Sequence, residues 1–183
     1  MHNKSLITLS LASLLAVSSA MGQTCKTDSI AESTPASRFI AGETATVTDT
    51  ETKLVWARCS LGQDWTGKTC SGTPEKYSWQ EATEIVKKLN DENFEGHADW
   101  RLPQIPELAS IVERQCFDPR VNIVVFPATS PVSYWSATER KGYVDYAYVL
   151  NFGAGETGPS HKDYKGPVRL VSGGPWWKPP KMP

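Results

Sequence analysis

The chain carries four cysteines, Cys25, Cys59, Cys70 and Cys116, and all of them follow an N-terminal segment built for export. In that segment His2 and Lys4 precede an apolar run from Leu6 to Val17, and the small residues Ser18, Ala20 and Gly22 come next. A basic start, an apolar stretch too short to span a bilayer and a small-residue exit mark a secretory signal, with cleavage after Ala20 or Gly22. Export places the thiols in an oxidising compartment, where an even set of cysteines forms disulfides. Cys59 and Cys70 bracket a loop rich in Gly, Thr and Asp, so we pair them and leave Cys25 for Cys116. The first bridge constrains a short loop and the second ties an N-terminal arm to the body. No Cys-x-x-Cys spacing occurs and no histidine is adjacent, which sets zinc aside.

Residues 23–37, rich in Thr, Ser and Ala, read as an extended arm. Arg38–Ile40, Thr46–Thr48 and Leu54–Arg58 have the content of short strands. Ser78 with Glu81 is a capping box, after which Ala82, Ile85, Val86 and Leu89 fall on one helical face ending near Asn90. A second helix is expected to begin around Pro106 and to carry Leu108, Ile111 and Val112 inward towards Cys116. Ser133–Thr138, Tyr146–Phe152 and Val168–Val171 read as strands. Alternation along the middle one places Tyr148, Leu150 and Phe152 on the core face, with Ala147, Val149 and Asn151 on the other. Two helices with several short strands make an α+β domain. The run Pro175-Trp176-Trp177-Lys178-Pro179-Pro180 cannot continue a helix or a central strand and is read as a strap laid over the body.

Five separated segments carry a family resemblance: RCSLGQDWTGKTC at 58–70, GHADWRLPQIPEL at 96–108, YWSAT at 134–138, YAYVLNF at 146–152 and PVRLV at 167–171. In this order and spacing the chain resembles the Lcl C-terminal domain family from near Phe39 to about Gly174. The resemblance implies a C-type-lectin-like fold and an exported binding module, not an enzyme, with no cofactor. It divides the chain into a signal peptide (1–22), an arm (23–37), the Lcl C-terminal domain (38–174) and a Trp/Pro-rich tail (175–183). We read Asp99-Trp100-Arg101-Leu102-Pro103 as structural, with Trp100 and Leu102 buried on one face and Arg101 paired with a carboxylate such as Glu107. Tyr134 and Trp135 are read as aromatic anchors, and Arg169 as facing either solvent or a buried acid.

No catalytic residue is assigned. His97 and His161 are far apart, and neither accompanies a nucleophile motif. Oxidases that make formylglycine share the broader lectin-like architecture, but they need reactive cysteines, which here are assigned to bridges. Asp91–Gly96 imitates the first half of an EF-hand loop, with Asp99 at the ninth position. Leu102 occupies the twelfth, where a ligating Glu belongs, so no metal is assigned either.

The segment from Arg140 to Lys165 has the composition of a recognition surface. Its candidate ligand-binding residues are Arg140, Tyr143, Asp145, Tyr146, Asn151, Glu156, His161, Lys162, Asp163 and Tyr164, separated by glycines. Tyr, Asn, Asp and Gly together supply flat aromatic area and adaptable hydrogen bonds. The expected partner is a glycan or a cell-surface protein, and the expected place is the periplasm, the cell surface or the medium. An envelope assembly role, with the tail or arm docked into a larger complex, is the alternative. Loss of Lys4 with the signal leaves 18 of 19 basic residues against 20 acidic ones, a net of −2. That balance opposes nucleic acid and general polyanion binding. No later apolar run is long enough for a membrane span.

Overall fold

The computed structural model describes residues 22–174. The expected signal peptide, apart from its last residue, and the Trp/Pro-rich tail lie outside the described residues. In chain order the elements are β1 (Thr24–Cys25), β2 (Phe39–Ala41), β3 (Thr46–Asp49), β4 (Val55–Ala57), β5 (Asp64–Trp65), β6 (Cys70–Ser71), α1 (Trp79–Asp91), α2 (Ile105–Ser110), β7 (Cys116–Phe117), β8 (Ser133–Glu139), β9 (Tyr146–Asn151), β10 (Glu156–His161) and β11 (Val171–Ser172). All strand pairs are antiparallel: a four-stranded sheet ordered β11-β4-β3-β2, a three-stranded sheet ordered β10-β9-β8, and two-stranded pairs β1-β7 and β5-β6. The described residues thus form an α+β fold with two α-helices and several small antiparallel sheets. Among the described residues no helix is long and apolar enough to cross a membrane.

Both disulfides are present. Cys25 faces Cys116 in register across β1 and β7, and Cys59 is bonded to Cys70. The arm is stitched down beyond its bridge. The buried Glu113 carboxylate accepts the Ser33 and Thr34 backbone N–H groups at 3.0 and 2.7 Å and the Thr34 hydroxyl at 2.8 Å. Gln23 Nε2 donates to the Pro119 and Val121 carbonyls, both at 2.6 Å.

α1 begins as its capping box requires: the Glu81 N–H donates to Ser78 Oγ at 3.3 Å, and the Ser78 N–H donates to Glu81 Oε2 at 2.7 Å. Ala82 and Val86 are buried, with Ile85 and Leu89 packed beside them. α2 is shorter than expected. It starts at Ile105 and stops at Ser110, whose hydroxyl turns back onto the Glu107 carbonyl at 2.7 Å and competes with the helical ladder. The chain then doubles back, so that Val112 bridges to Val121 and does not continue helically to Cys116.

The pair β8-β9 divides two apolar clusters. Tyr134, Leu150 and Phe152 join Trp56, Leu108, Ile111 and Phe126 on one side. Trp135, Ala147 and Val149 join Trp100, Leu102, Val86 and Leu170 on the other. This corrects the expected alternation, since Ala147 and Val149 are core residues and Tyr148 is only half-buried. A strand buried on both faces near its middle has no solvent side for alternation to reveal. Arg169 is a second correction. It is 0 % exposed, and it faces neither solvent nor an acid: it donates to the Ala57 carbonyl at 2.9 Å, the Arg58 carbonyl and Thr129 Oγ1 at 2.7 Å.

Candidate functional site

The segment 140–165 is not one long loop, because β9 and β10 both lie within it. β10 reads Glu-Thr-Gly-Pro-Ser-His, a sequence whose Gly and Pro suggest a break. It is an edge strand, where a proline without a ladder donor is tolerated. Antiparallel pairing then brings the β8–β9 connection and the chain after β10 to the same end of the sheet.

At that end successive backbone bonds shape the connection. Tyr143 N–H donates to the Arg140 carbonyl at 3.0 Å, Tyr146 N–H to Tyr143 at 3.1 Å, and Arg140 N–H to Tyr146 at 3.0 Å. His161 lies opposite Tyr146 in register, and the two rings meet edge to face at 5.3 Å. Tyr143 and Tyr146 meet likewise at 6.3 Å. The Arg140 guanidinium sits 3.8 Å from the Tyr143 ring and 5.8 Å from that of Tyr146. Tyr143 is 52 % exposed and its neighbour Val144 80 %. Two phenols, an imidazole and a guanidinium therefore form one continuous, solvent-facing surface.

A polar shoulder adjoins it. Lys162 N–H donates to the Asp145 carbonyl at 2.8 Å, which joins the two loops. The Lys162 ammonium is 2.7 Å from Glu139 Oε2 and 4.2 Å from the Trp79 ring, and His161 Nδ1 is 3.4 Å from Asp163 Oδ2. A hollow of about 550 Å³ opens there, lined by Ser78, Trp79, Gln80, Thr83, Lys162 and Asp163. Trp79 and Glu139 were missed in the sequence reading. Trp79 follows the helix cap directly, and its helical position carries no sign that it meets Lys162 across the fold.

Three candidates sit elsewhere. Asn151 and Glu156 pair with each other at the opposite end of β9 and β10, about 17 Å away at strand rise. Asn151 Oδ1 accepts the Gly153 and Ala154 N–H groups at 2.7 and 3.1 Å, so it builds the β9–β10 turn. Tyr164 packs edge to face on buried Trp135 at 5.7 Å, and burial raises its hydroxyl pKa above the ordinary value. The remaining candidates, Arg140, Tyr143, Asp145, Tyr146, His161, Lys162 and Asp163, come together.

One serine, histidine and aspartate do converge. Ser172 Oγ donates to Asp99 Oδ1 at 2.6 Å and lies 3.3 Å from His97 Nδ1, and Asp99 also accepts the Gly173 N–H at 3.0 Å. The serine hydrogen and the carboxylate are thus engaged with each other on the same side of the imidazole, and Ser172 is buried. In a nucleophilic triad the histidine stands between serine and acid, accepting from one and donating to the other. The Ser172 bond holds the Asp99 carboxyl below the usual range, as a structural fastening does. Asp99 and Glu95 from the EF-hand-like run are already taken up by protein N–H and O–H donors, Glu95 by Ala45 N–H at 3.0 Å. Among the described residues no group of three His, Cys, Asp or Glu side chains is placed to hold a metal ion.

The family model of the Lcl C-terminal domain matches residues 45–172, which takes in both helices and the whole three-stranded sheet. No curated protein matches the chain.

Proposed function

Because the chain belongs to the Lcl C-terminal domain family, we propose that it is an exported, non-catalytic binding module of C-type-lectin-like architecture, which holds a glycan on the aromatic end of the β8-β9-β10 sheet. The observation that carries this reading is the exposed array of Tyr143, Tyr146 and His161 with Arg140 stacked beside them. Sugar rings lie on aromatic faces, and their hydroxyls bond to the guanidinium, carboxylate and backbone groups that border such a surface. Charge favours a neutral or mixed-charge glycan over a heavily sulfated one, since Lys162 is matched by Glu139 and His161 stands beside Asp163. Two disulfides suit an exported protein. The engaged Ser172 hydroxyl and the bonded cysteines support binding without chemistry.

The test is a glycan array probed with the oxidised mature protein, with and without calcium and at two salt concentrations. A specific signal that disappears in Tyr143→Ala and Tyr146→Ala, and survives in Tyr164→Phe, supports the reading. A blank array, with a protein partner recovered through the same face, moves the function to a surface protein. Recovery through the tail or the arm moves it to envelope assembly.

A further inference from the structure

The aromatic end of the three-stranded sheet is built on one row of side chains. β8 pairs with β9 so that Glu139 faces Ala147. The next rung sets Arg140 against Tyr146, closed by the Arg140 N–H bond to the Tyr146 carbonyl at 3.0 Å. β10 extends that rung with His161 opposite Tyr146. Residues opposite one another on antiparallel strands place their side chains on the same face. Arg140, Tyr146 and His161 therefore stand in line. Tyr143 joins them from the connection, where its N–H donates to the Arg140 carbonyl at 3.0 Å.

The guanidinium is the charged group in this row that has no mate. Elsewhere Arg38 and Arg101 are paired with carboxylates, and Arg58 and Arg169 are bonded to backbone carbonyls. Beside the row, the Lys162 ammonium is 2.7 Å from Glu139 Oε2, and His161 Nδ1 is 3.4 Å from Asp163 Oδ2. Arg140 meets no carboxylate and donates no side-chain hydrogen bond among the described residues. What holds it is aromatic: the Tyr143 ring at 3.8 Å and the Tyr146 ring at 5.8 Å. A guanidinium stacked on a ring keeps a fixed plane, and its N–H groups, which lie in that plane, remain open to a ligand. The residue is half-buried, so the cost of ordering a long side chain is met before anything binds.

A fork of parallel N–H donors fits the two coplanar oxygens of a carboxylate. Tyr146 is next to that fork and half-buried, so a sugar ring resting on Tyr146 and His161 brings its own carboxylate to Arg140. Charge limits the ligand to one such group at this place. Lys141 and Asp145, both exposed in the same connection, offset each other, and a polyanion would need a basic stripe.

On the glycan reading above, we propose that the recognised sugar carries a carboxylate, as uronic and sialic acids do, and that Arg140 selects it through a two-pronged bond. Tyr143 fixes the plane of the fork, and Tyr146 and His161 carry the ring. Esterified or uncharged sugars leave the fork unfilled and bind more weakly.

Matched glycans test this with the oxidised mature protein, in about 0.15 M salt so that long-range charge is screened. One pair is sialyllactose and its methyl ester, and the other is a trisaccharide ending in glucuronic acid and its methyl ester. In at least one pair the acid should bind about tenfold tighter than the ester, the scale of a lost bond to a charged group, and that pair names the source. This comparison needs no variant. Arg140→Gln should bring the ratio of acid to ester close to one. Arg140→Lys should do the same, because an ammonium keeps the charge without the fork. Lys141→Ala, which removes the neighbouring cation, should keep the ratio. A ratio that survives Arg140→Gln, or that Lys141→Ala removes equally, overturns the proposal. Glycans bound through Tyr143 and Tyr146 with the acid no tighter than the ester, or a sulfated polymer bound alone, overturn it and leave the glycan reading standing. If no glycan binds, both fall together.

Discussion

Arg101 and Glu107 close a two-pronged ion pair, with Nη1–Oε2 and Nη2–Oε1 both at 2.7 Å and Glu107 only 1 % exposed. The same carboxylate accepts the Gln104 N–H at 2.7 Å and so starts α2, while Arg101 Nε reaches the Gly173 carbonyl at 2.9 Å. The Arg101 backbone also pairs with Val171. One ion pair thereby fastens the helix start, the Asp99–Leu102 segment and β11 together. The most distinctive run in the sequence is a structural knot.

Removing one partner strands the other. Glu107→Ala should lower unfolding stability by roughly 3–5 kcal/mol, the usual cost of breaking a buried pair from one side. Arg101→Lys should lose less, because an ammonium keeps the charge but not the fork. Urea unfolding at an unchanged slope measures both.

Glu113 should govern part of the acid limb. Burial opposes its charge, yet bonds from Ser33, Thr34 and Gln115 outweigh burial and hold its carboxyl below the ordinary glutamate value of 4.5. A depressed folded pKa gives stability that is present above the unfolded value and disappears as the pH falls through the folded one. Glu113→Gln should therefore flatten the stability profile below about pH 4.5 and cost roughly 2–3 kcal/mol at neutral pH, as expected for lost bonds to a charged acceptor. The arm, residues 23–34, should become the first site of proteolysis. A profile parallel to that of the parent would remove Glu113 from the account.

The two bridges should differ in weight. Cys25–Cys116 spans 91 residues and Cys59–Cys70 spans 11. Loop-closure entropy assigns about 4–5 kcal/mol to the first and about 3 kcal/mol to the second. The paired serine variants, compared by thermal unfolding, should rank in that order. Loss of Cys59–Cys70 should also loosen the loop that carries β5 and β6.

What could be read in advance was what local chemistry determines. Ser78 and Glu81 announced α1 because a capping box is complete within four residues. The bridge pairing followed from compartment and spacing. Arg101 found its acid because that acid lies six residues on, at the start of the next helix. The strand β10 was hidden because its tolerance for Gly158 and Pro159 depends on being at a sheet edge, a property of the assembled sheet. The division of the candidate surface was hidden for the same reason. Only strand direction separates Asn151 and Glu156 from Tyr146 and His161, and only packing brings Trp79 to Lys162.

Arg169 presents the hardest balance of terms, and so a sharp test. Its guanidinium is fully buried, lies 4.9 Å from the Phe126 ring and meets no carboxylate among the described residues, and burial lowers its pKa from the ordinary arginine value. Substitution by Met would relieve the cost of burying a charge. It would also leave the Arg58 carbonyl and Thr129 Oγ1 without their donor, and weaken the junction between the end of β4 and the Phe126–Thr129 turn. Orphaned buried acceptors cost about 1–3 kcal/mol each, whereas the charge already has several carbonyl and hydroxyl ligands. The lost bonds should therefore dominate, and Arg169→Met should destabilise by roughly 2–4 kcal/mol. Arg169→Lys should fare no better, since a single ammonium cannot reach acceptors on both sides of that junction. Urea unfolding of the two variants decides the matter, and a Met variant as stable as the parent would show that desolvation outweighs the bonds.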